Sequence, residues 1–178
     1  MGSRQSACQL SCAAMFVGDF TIRPARAGEA SILTALCIRS KAHWGYDSAF
    51  MAAAAPLLRI GEGEIESGGV LTAVLNGDAP CGVAAIIPLR RRQWCELSHL
   101  FVAPERLGCG IGRALFEAAI ALAAARNATH VSILSDPHAA DFYQRLGARR
   151  CGEAPSGVAR NRMLPLFEFS VARRSVAD

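Results

Sequence analysis

Three glycines at alternate positions, Gly108, Gly110 and Gly112, separate a segment of strand character from one of helical character. Lacking a Cβ, each lets a ligand approach backbone N–H groups closely. A helix that opens inside such a turn adds the unpaired N–H groups of its first turn and the positive end of its dipole. The run Arg106-Leu107-Gly108-Cys109-Gly110-Ile111-Gly112 therefore describes an anion cradle suited to a pyrophosphate. Two nucleotide loops are excluded. A Walker A loop needs Gly-Lys-Ser/Thr, but Arg113-Ala114 follows Gly112. A dinucleotide fingerprint counted from Gly108 needs its last glycine where Arg113 stands.

The elements that must position this loop are legible in the patterning. Phe20-Thr21-Ile22-Arg23 alternates and stops at Pro24, as a strand does. Ile32, Leu33, Leu36 and Cys37 recur at helical spacing, which predicts a helix over roughly residues 27–40. His43-Trp44-Gly45-Tyr46 breaks that helix, and Asp47 is placed to N-cap a second one that runs to Pro56. Gly61-Glu62-Gly63-Glu64 reads as an acidic linker. Val70–Leu75 and Cys81–Ile87 flank Asn76-Gly77-Asp78, a hairpin signal because Asn-Gly accepts the positive φ of a tight turn.

A further strand runs from Trp94 to Val102 and stops at Pro104. After the glycine loop, Ile111, Leu115, Ala118 and Leu122 mark one helix face. A strand at His130–Leu134, a short helix from Ala139 to Leu146 closed by Gly147, and a last strand from Met163 to Val171 complete the order. Strands mixed with helices, including a hairpin, indicate an α+β or mixed-sheet α/β domain. One domain over residues 19–178 is expected, preceded by a loosely ordered extension, residues 1–18.

Against this frame, Glu96-Leu-Ser-His-Leu-Phe-Val102-Ala-Pro104 followed by Gly108-Cys-Gly-Ile-Gly-Arg-Ala-Leu115 resembles the fourth strand and pyrophosphate loop of the GNAT superfamily of acyl-CoA-dependent N-acetyltransferases. Asp136-Pro-His-Ala139-Ala-Asp-Phe142-Tyr143, then Leu146-Gly147, resembles that family's later helix. With the earlier elements the resemblance covers residues 20–171 in order. It implies a mixed, mostly antiparallel twisted sheet flanked by helices, with acetyl-CoA bound where the fourth and fifth strands splay. Two departures stand out: Leu107 sits where the family's loop usually opens with Arg or Gln, and Asp136 where Asn is usual. The first moves the expected binding onto backbone amides.

The resemblance also implies roles. Leu100, Phe101 and Val102 would offer a backbone N–H to the thioester carbonyl. Leu107, Gly108, Cys109, Gly110, Ile111, Gly112, Arg113, Asp136 and His138 would line the cofactor. Tyr143 matches the family's tyrosine and would be the general acid for the departing thiolate. Glu96, six residues before Val102, would be the base, directly or through water, since a lysine-like amine has a pKa near about 10.4. His99 is the rival base; strict alternation puts it on the face opposite Glu96 unless a bulge intervenes. His43, Trp44 and Tyr46 lie where the family's acceptor pocket usually forms, with Ser156 and Arg162 before the last strand. A primary amine of a small molecule or a peptide is the expected acceptor, and a homodimer is in keeping with the family. An acyl-CoA-binding sensor without turnover is the alternative.

Composition narrows the remaining classes. Hydrophobic residues make up 52% and charged residues 19%, enough for a globular core. The net charge of +4 is modest, and Arg90-Arg91-Arg92 is the only basic run, which argues against a nucleic-acid partner. The apolar stretch near the N-terminus is too short and polar for a membrane span. Seven cysteines, an odd number without a C-x-x-C or zinc-finger spacing, point to a reduced cytoplasmic protein with no metal. Cys37, Cys81 and Cys95 read as small core residues.

Overall fold

The computed structural model describes residues 20–75, 79–159 and 161–171. The Asn76-Gly77-Asp78 turn and the N-terminal extension expected from sequence lie outside the described residues. The chain order is β1 (Phe20–Pro24), α1 (Ala30–Ala42), α2 (Ser48–Ala54), α3 (Glu62–Glu66), β2 (Val70–Leu75), β3 (Pro80–Pro88) and β4 (Trp94–Val102). It continues with α4 (Ile111–Ala125), β5 (His130–Leu134), α5 (Ala140–Arg145), β6 (Arg149–Pro155) and β7 (Met163–Ser170). The strands form one sheet in the order β1-β2-β3-β4-β5-β7-β6. Only β4 and β5 pair in parallel; the other pairs are antiparallel.

Layering explains the patterns. β2 and β3 are buried on both faces, so they read as continuous apolar runs. On one face α4 and α5 bury Ile111, Leu115, Phe116, Ala119 and Tyr143 against Cys95, Leu97 and Val102. On the other, α1 and the segment after it bury Leu33, Leu36, Cys37 and Leu58 against Val70, Val83 and Ala85. Cys37, Cys81 and Cys95 are core residues, as expected.

Four local readings need correction. The acidic linker is instead α3: Glu64 folds back so that its Oε2 accepts the Gly61 N–H at 2.7 Å, and Ile65 is buried. The buried stripe of α4 runs through Phe116, Ala119 and Ala123, leaving Ala118 and Leu122 half-buried. It is turned toward an aromatic seam, with Phe116 edge-on to Phe169 at 5.2 Å and tilted against Tyr143 at 6.1 Å. The helix expected from Ala139 begins at Ala140, after a single 3-10 turn at Pro137–Ala139 that Asp136 caps. Finally, β6 has no counterpart in the sequence reading. It is an almost wholly exposed edge strand carrying Arg149, Arg150 and Glu153, so no apolar alternation marks it.

Candidate active site

The parallel β4–β5 ladder is short: it joins only Trp94, Cys95 and Glu96 to His130, Val131 and Ser132. Beyond Glu96 the two strands part, leaving one side of Leu97–Val102 without a ladder partner. Ala103 N donates to Cys81 O at 2.9 Å, and amide direction alternates along a strand. The N–H groups of Leu100 and Val102 therefore point away from β3 into this gap, whereas that of Phe101 points into the sheet.

The glycine loop stands at the C-terminal end of β4. Gly108 and Gly110 have φ of 79° and 82°, and open space surrounds the position a Cβ would take on either. The amides of Gly108, Gly110, Ile111, Gly112 and Arg113 donate to no described residue. These unpaired donors, gathered at a helix N-terminus, fit the pyrophosphate of an acyl-CoA. Gly112 differs from these two: a Cβ there would meet the Phe142 ring in ordinary van der Waals contact at 3.4 Å. Leu107 is exposed and Cys109 is half-buried, its Sγ directed to Leu107 O at 3.8 Å.

Tyr143 packs among Phe116, Phe142 and Phe167. Burial, aided by the Asp136 carboxylate, pushes its phenol well above the ordinary range, so it stays protonated. The hydroxyl bonds to no described residue, which leaves its proton without an acceptor in the protein. Glu96 is half-buried and its carboxylate has neither an ion pair nor a hydrogen bond among the described residues, Arg92 included.

The relation between Glu96 and His99 differs from strict alternation. Ala85 pairs with His99 while Ile86 pairs with Leu97, so Ser98 is an extra residue, a β-bulge. Cys95 and Leu97 face α4, and after the bulge Leu100 and Val102 do so again. His99 and Phe101 then turn to the α1 face, where the alternation before the bulge also places Glu96. The two candidate bases thus share a face. His99 is 6% exposed, and burial holds its pKa below the ordinary value against the opposing pull of Glu64 and the Leu57 carbonyl. Its Nδ1 lies 3.1 Å from Ser98 Oγ, while Nε2 is buried without a partner among the described residues. On the same face a hollow of about 320 Å³ lies between α3 and β3, lined by Glu64, Ser67, Val70, Ala85, Ile87 and Pro88. Ala85 and Ile87 are the register partners of His99 and Glu96.

The segment between α1 and α2 closes over the end of β5. Lys41 forms an ion pair with Asp136. Tyr46 donates to the same carboxylate at 2.8 Å and accepts from Arg162 Nη2 at 2.6 Å. Asp136 also accepts the His138 N–H at 3.0 Å. Burial works against its ionisation, but Lys41 and the hydrogen bonds outweigh it and hold the carboxyl below the usual range. Trp44, 41% exposed, stacks on the His138 ring at 4.9 Å, and exposed His43 meets Trp44 edge-on. Thus Tyr46, Asp136, His138, Trp44 and Arg162 come together. Ser156 does something else: its buried hydroxyl accepts the Val158 N–H at 3.2 Å and shapes the loop before β7. Sequence reading did not assign Lys41, although its place in Arg39-Ser40-Lys41-Ala42-His43 at a helix end was a usable signal.

A family comparison decides what this arrangement belongs to. The Acetyltransferase (GNAT) family model matches residues 38–148, from within α1 to the start of β6. The chain belongs to the GNAT family. It is accordingly an acetyl-CoA-dependent acyltransferase. The fold of this GNAT enzyme is similar to a GCN5-related N-acetyltransferase from Rhodopseudomonas palustris, with 23% identity, TM-score 0.65, and 84% of this chain and 94% of that one covered. It is also similar to yncA from Salmonella typhimurium, solved with its cofactor acetyl-CoA (20% identity, TM-score 0.65, 90% and 98% covered). The PaiA N-acetyltransferase from Thermoplasma acidophilum in complex with coenzyme A gives 16% identity, TM-score 0.67, and 85% and 98% coverage. No curated protein matches the chain. Among the described residues no helix is long and apolar enough to cross a membrane.

Proposed function

We propose that this enzyme transfers the acetyl group of acetyl-CoA to a primary amine of a small molecule or peptide, by direct attack of the amine on the thioester. The observation that carries the reading is the row of unpaired amides at the α4 N-terminus, set at the end of a strand whose Leu100 and Val102 amides face the β4–β5 gap. Acetyl-CoA supplies the activated acyl group. The loop amides and helix dipole hold the pyrophosphate, and the Leu100 or Val102 N–H donates to the carbonyl oxygen as negative charge grows on it. Tyr143, kept protonated by burial, gives its proton to the departing sulfur. Glu96, unpaired on the α1 face, receives the amine's proton directly or through water. His99 is a second reading for the base, favoured by its place on the same face as Glu96.

The five described cysteines are free thiols, which supports a reduced, cytoplasmic setting. The test is calorimetric titration with acetyl-CoA, followed by free-thiol release across an amine panel. Binding with turnover is the expected result. Binding without turnover on a broad panel would shift the assignment to an acyl-CoA sensor, and no binding at millimolar acetyl-CoA would remove it.

A further inference from the structure

The polar cluster over the end of β5 holds two cations against one carboxylate. Lys41 and Arg162 have side chains only 14% and 21% exposed, and Asp136 is their sole acidic partner among the described residues. Asp136 is already engaged by Lys41, Tyr46 and the His138 amide. Arg162 uses only Nη2, which bonds Tyr46 at 2.6 Å and stands 3.6 Å from Asp136. Its Nε and Nη1 bond to no described residue. The guanidinium is held over the Tyr46 and Phe50 rings, 5.0 and 4.8 Å from their centroids, and the two rings stack at 4.3 Å. A half-buried excess cation is costly without a counter-ion. A guanidinium fixed on aromatic faces, with N–H donors on Nε and Nη1 still unused, can take a carboxylate as its further partner.

We propose that the acceptor of this acetyltransferase is a small amino-carboxylic acid whose carboxylate is held by Arg162 and Lys41, where the α1–α2 segment, the β5–α5 turn and the loop before β7 meet. The proposal rests on the acetyl-transfer reading above and specifies its acceptor. Tyr46 is the positioning residue, accepting from Arg162 and donating to Asp136, so that the guanidinium is set before the acceptor arrives.

The experiment compares L-α-amino acids with their primary amides. The amide has the more readily deprotonated amine, so amine basicity alone would favour the amide. The acid is expected to show kcat/KM at least about tenfold above its amide, and Arg162→Gln to raise the acid's KM about tenfold to a hundredfold. Lys41→Gln should act in the same direction and Arg162→Lys less severely, with calorimetric affinity for acetyl-CoA retained in all three. In a binding arm, each acid and amide is titrated into the unaltered protein saturated with coenzyme A. Acids that turn over or bind no better than their amides overturn the subsite, as does an acid preference that survives both Gln substitutions. Failure to bind acetyl-CoA is a separate result; it removes the underlying acetyl-transfer reading and the subsite with it.

Discussion

Ser98 Oγ stands 3.1 Å from His99 Nδ1 and 3.3 Å from the Ala85 carbonyl, to which it donates. The bulge at Ser98 thus turns His99 onto the face of Glu96 and sets a hydroxyl against its ring.

Burial of His99 makes a prediction about pH. Its folded pKa lies below the unfolded value near about 6.5, so the unfolded chain binds more protons in the window between them. The stability it contributes is present above about pH 6.5 and is lost as pH falls through the lowered folded value. Thermal melts from pH 8 to 5 should show a declining Tm for the unaltered protein, and a shallower decline for His99→Gln. Parallel curves would show that His99 does not titrate differently in the two states.

Catalytic assignment is separable from folding at Tyr143 and Glu96. Tyr143→Phe keeps the ring among Phe116, Phe142 and Phe167 and removes only the hydroxyl. A loss in kcat on the order of a hundredfold or more is expected, with acetyl-CoA affinity and Tm little changed. Glu96→Gln should likewise lower kcat, with the remaining rate climbing further toward alkaline pH as free amine accumulates. Stopped-flow thiol release over a pH series measures both. Full activity in Tyr143→Phe would dismiss it as the acid.

The glycines divide into two kinds by what an added methyl would meet. At Gly110 nothing lies within 4 Å, so Gly110→Ala suffers only the left-handed backbone, a cost of about 1–2 kcal/mol. The loop should relax that strain by moving its amides, weakening acetyl-CoA binding more than stability. At Gly82 a Cβ would lie 2.7 Å from Leu115 Cδ1 and 3.0 Å from Ile111 Cγ2. Gly82→Ala should push α4 from the sheet and cost about 1–3 kcal/mol. Denaturant melts alongside calorimetry should therefore show opposite emphases in the two variants.

Asp136→Asn, which restores the residue more usual in the family, should keep the acceptor oxygen for the His138 amide but strand Lys41 and Arg162. A loss of about 1–3 kcal/mol follows from removing one charged partner of hydrogen bonds this far from solvent. Because the native carboxyl titrates below its ordinary range, its contribution holds above about pH 4 and disappears as pH falls through the lowered value. Urea melts at pH 7 and pH 3 should differ for the unaltered protein and converge on the variant at the acid end.

Much of the frame is readable from local rules. Asp47 caps α2 by accepting the Phe50 N–H at 2.7 Å, as its position before an Ala-rich run predicts. Trp94–Val102 and His130–Leu134 are strands with the expected bounds, since their apolar and β-branched runs end at turn formers. The alternate glycines, their helix and the family's motif order also lie in contiguous text, because backbone sterics and helix dipoles act over a few residues. These local features were sufficient to indicate the cofactor.

Tertiary structure decided the rest. The Ser98 bulge exists only as a mismatch of register between β3 and β4, and it reverses where His99 points. Edge strand β6 is defined by its ladder to β7, not by an apolar pattern. Lys41 and Asp136 are 95 residues apart in the chain, and Tyr46 and Arg162 are 116 apart. No periodicity links such pairs; the sheet order brings them together, and burial then converts ordinary surface residue types into a charged cluster with one cation in excess. Sequence alone thus determined which cofactor the chain is built to hold, whereas the character of the acceptor end depended on long-range packing, because charge and burial there are shared among segments distant in the chain.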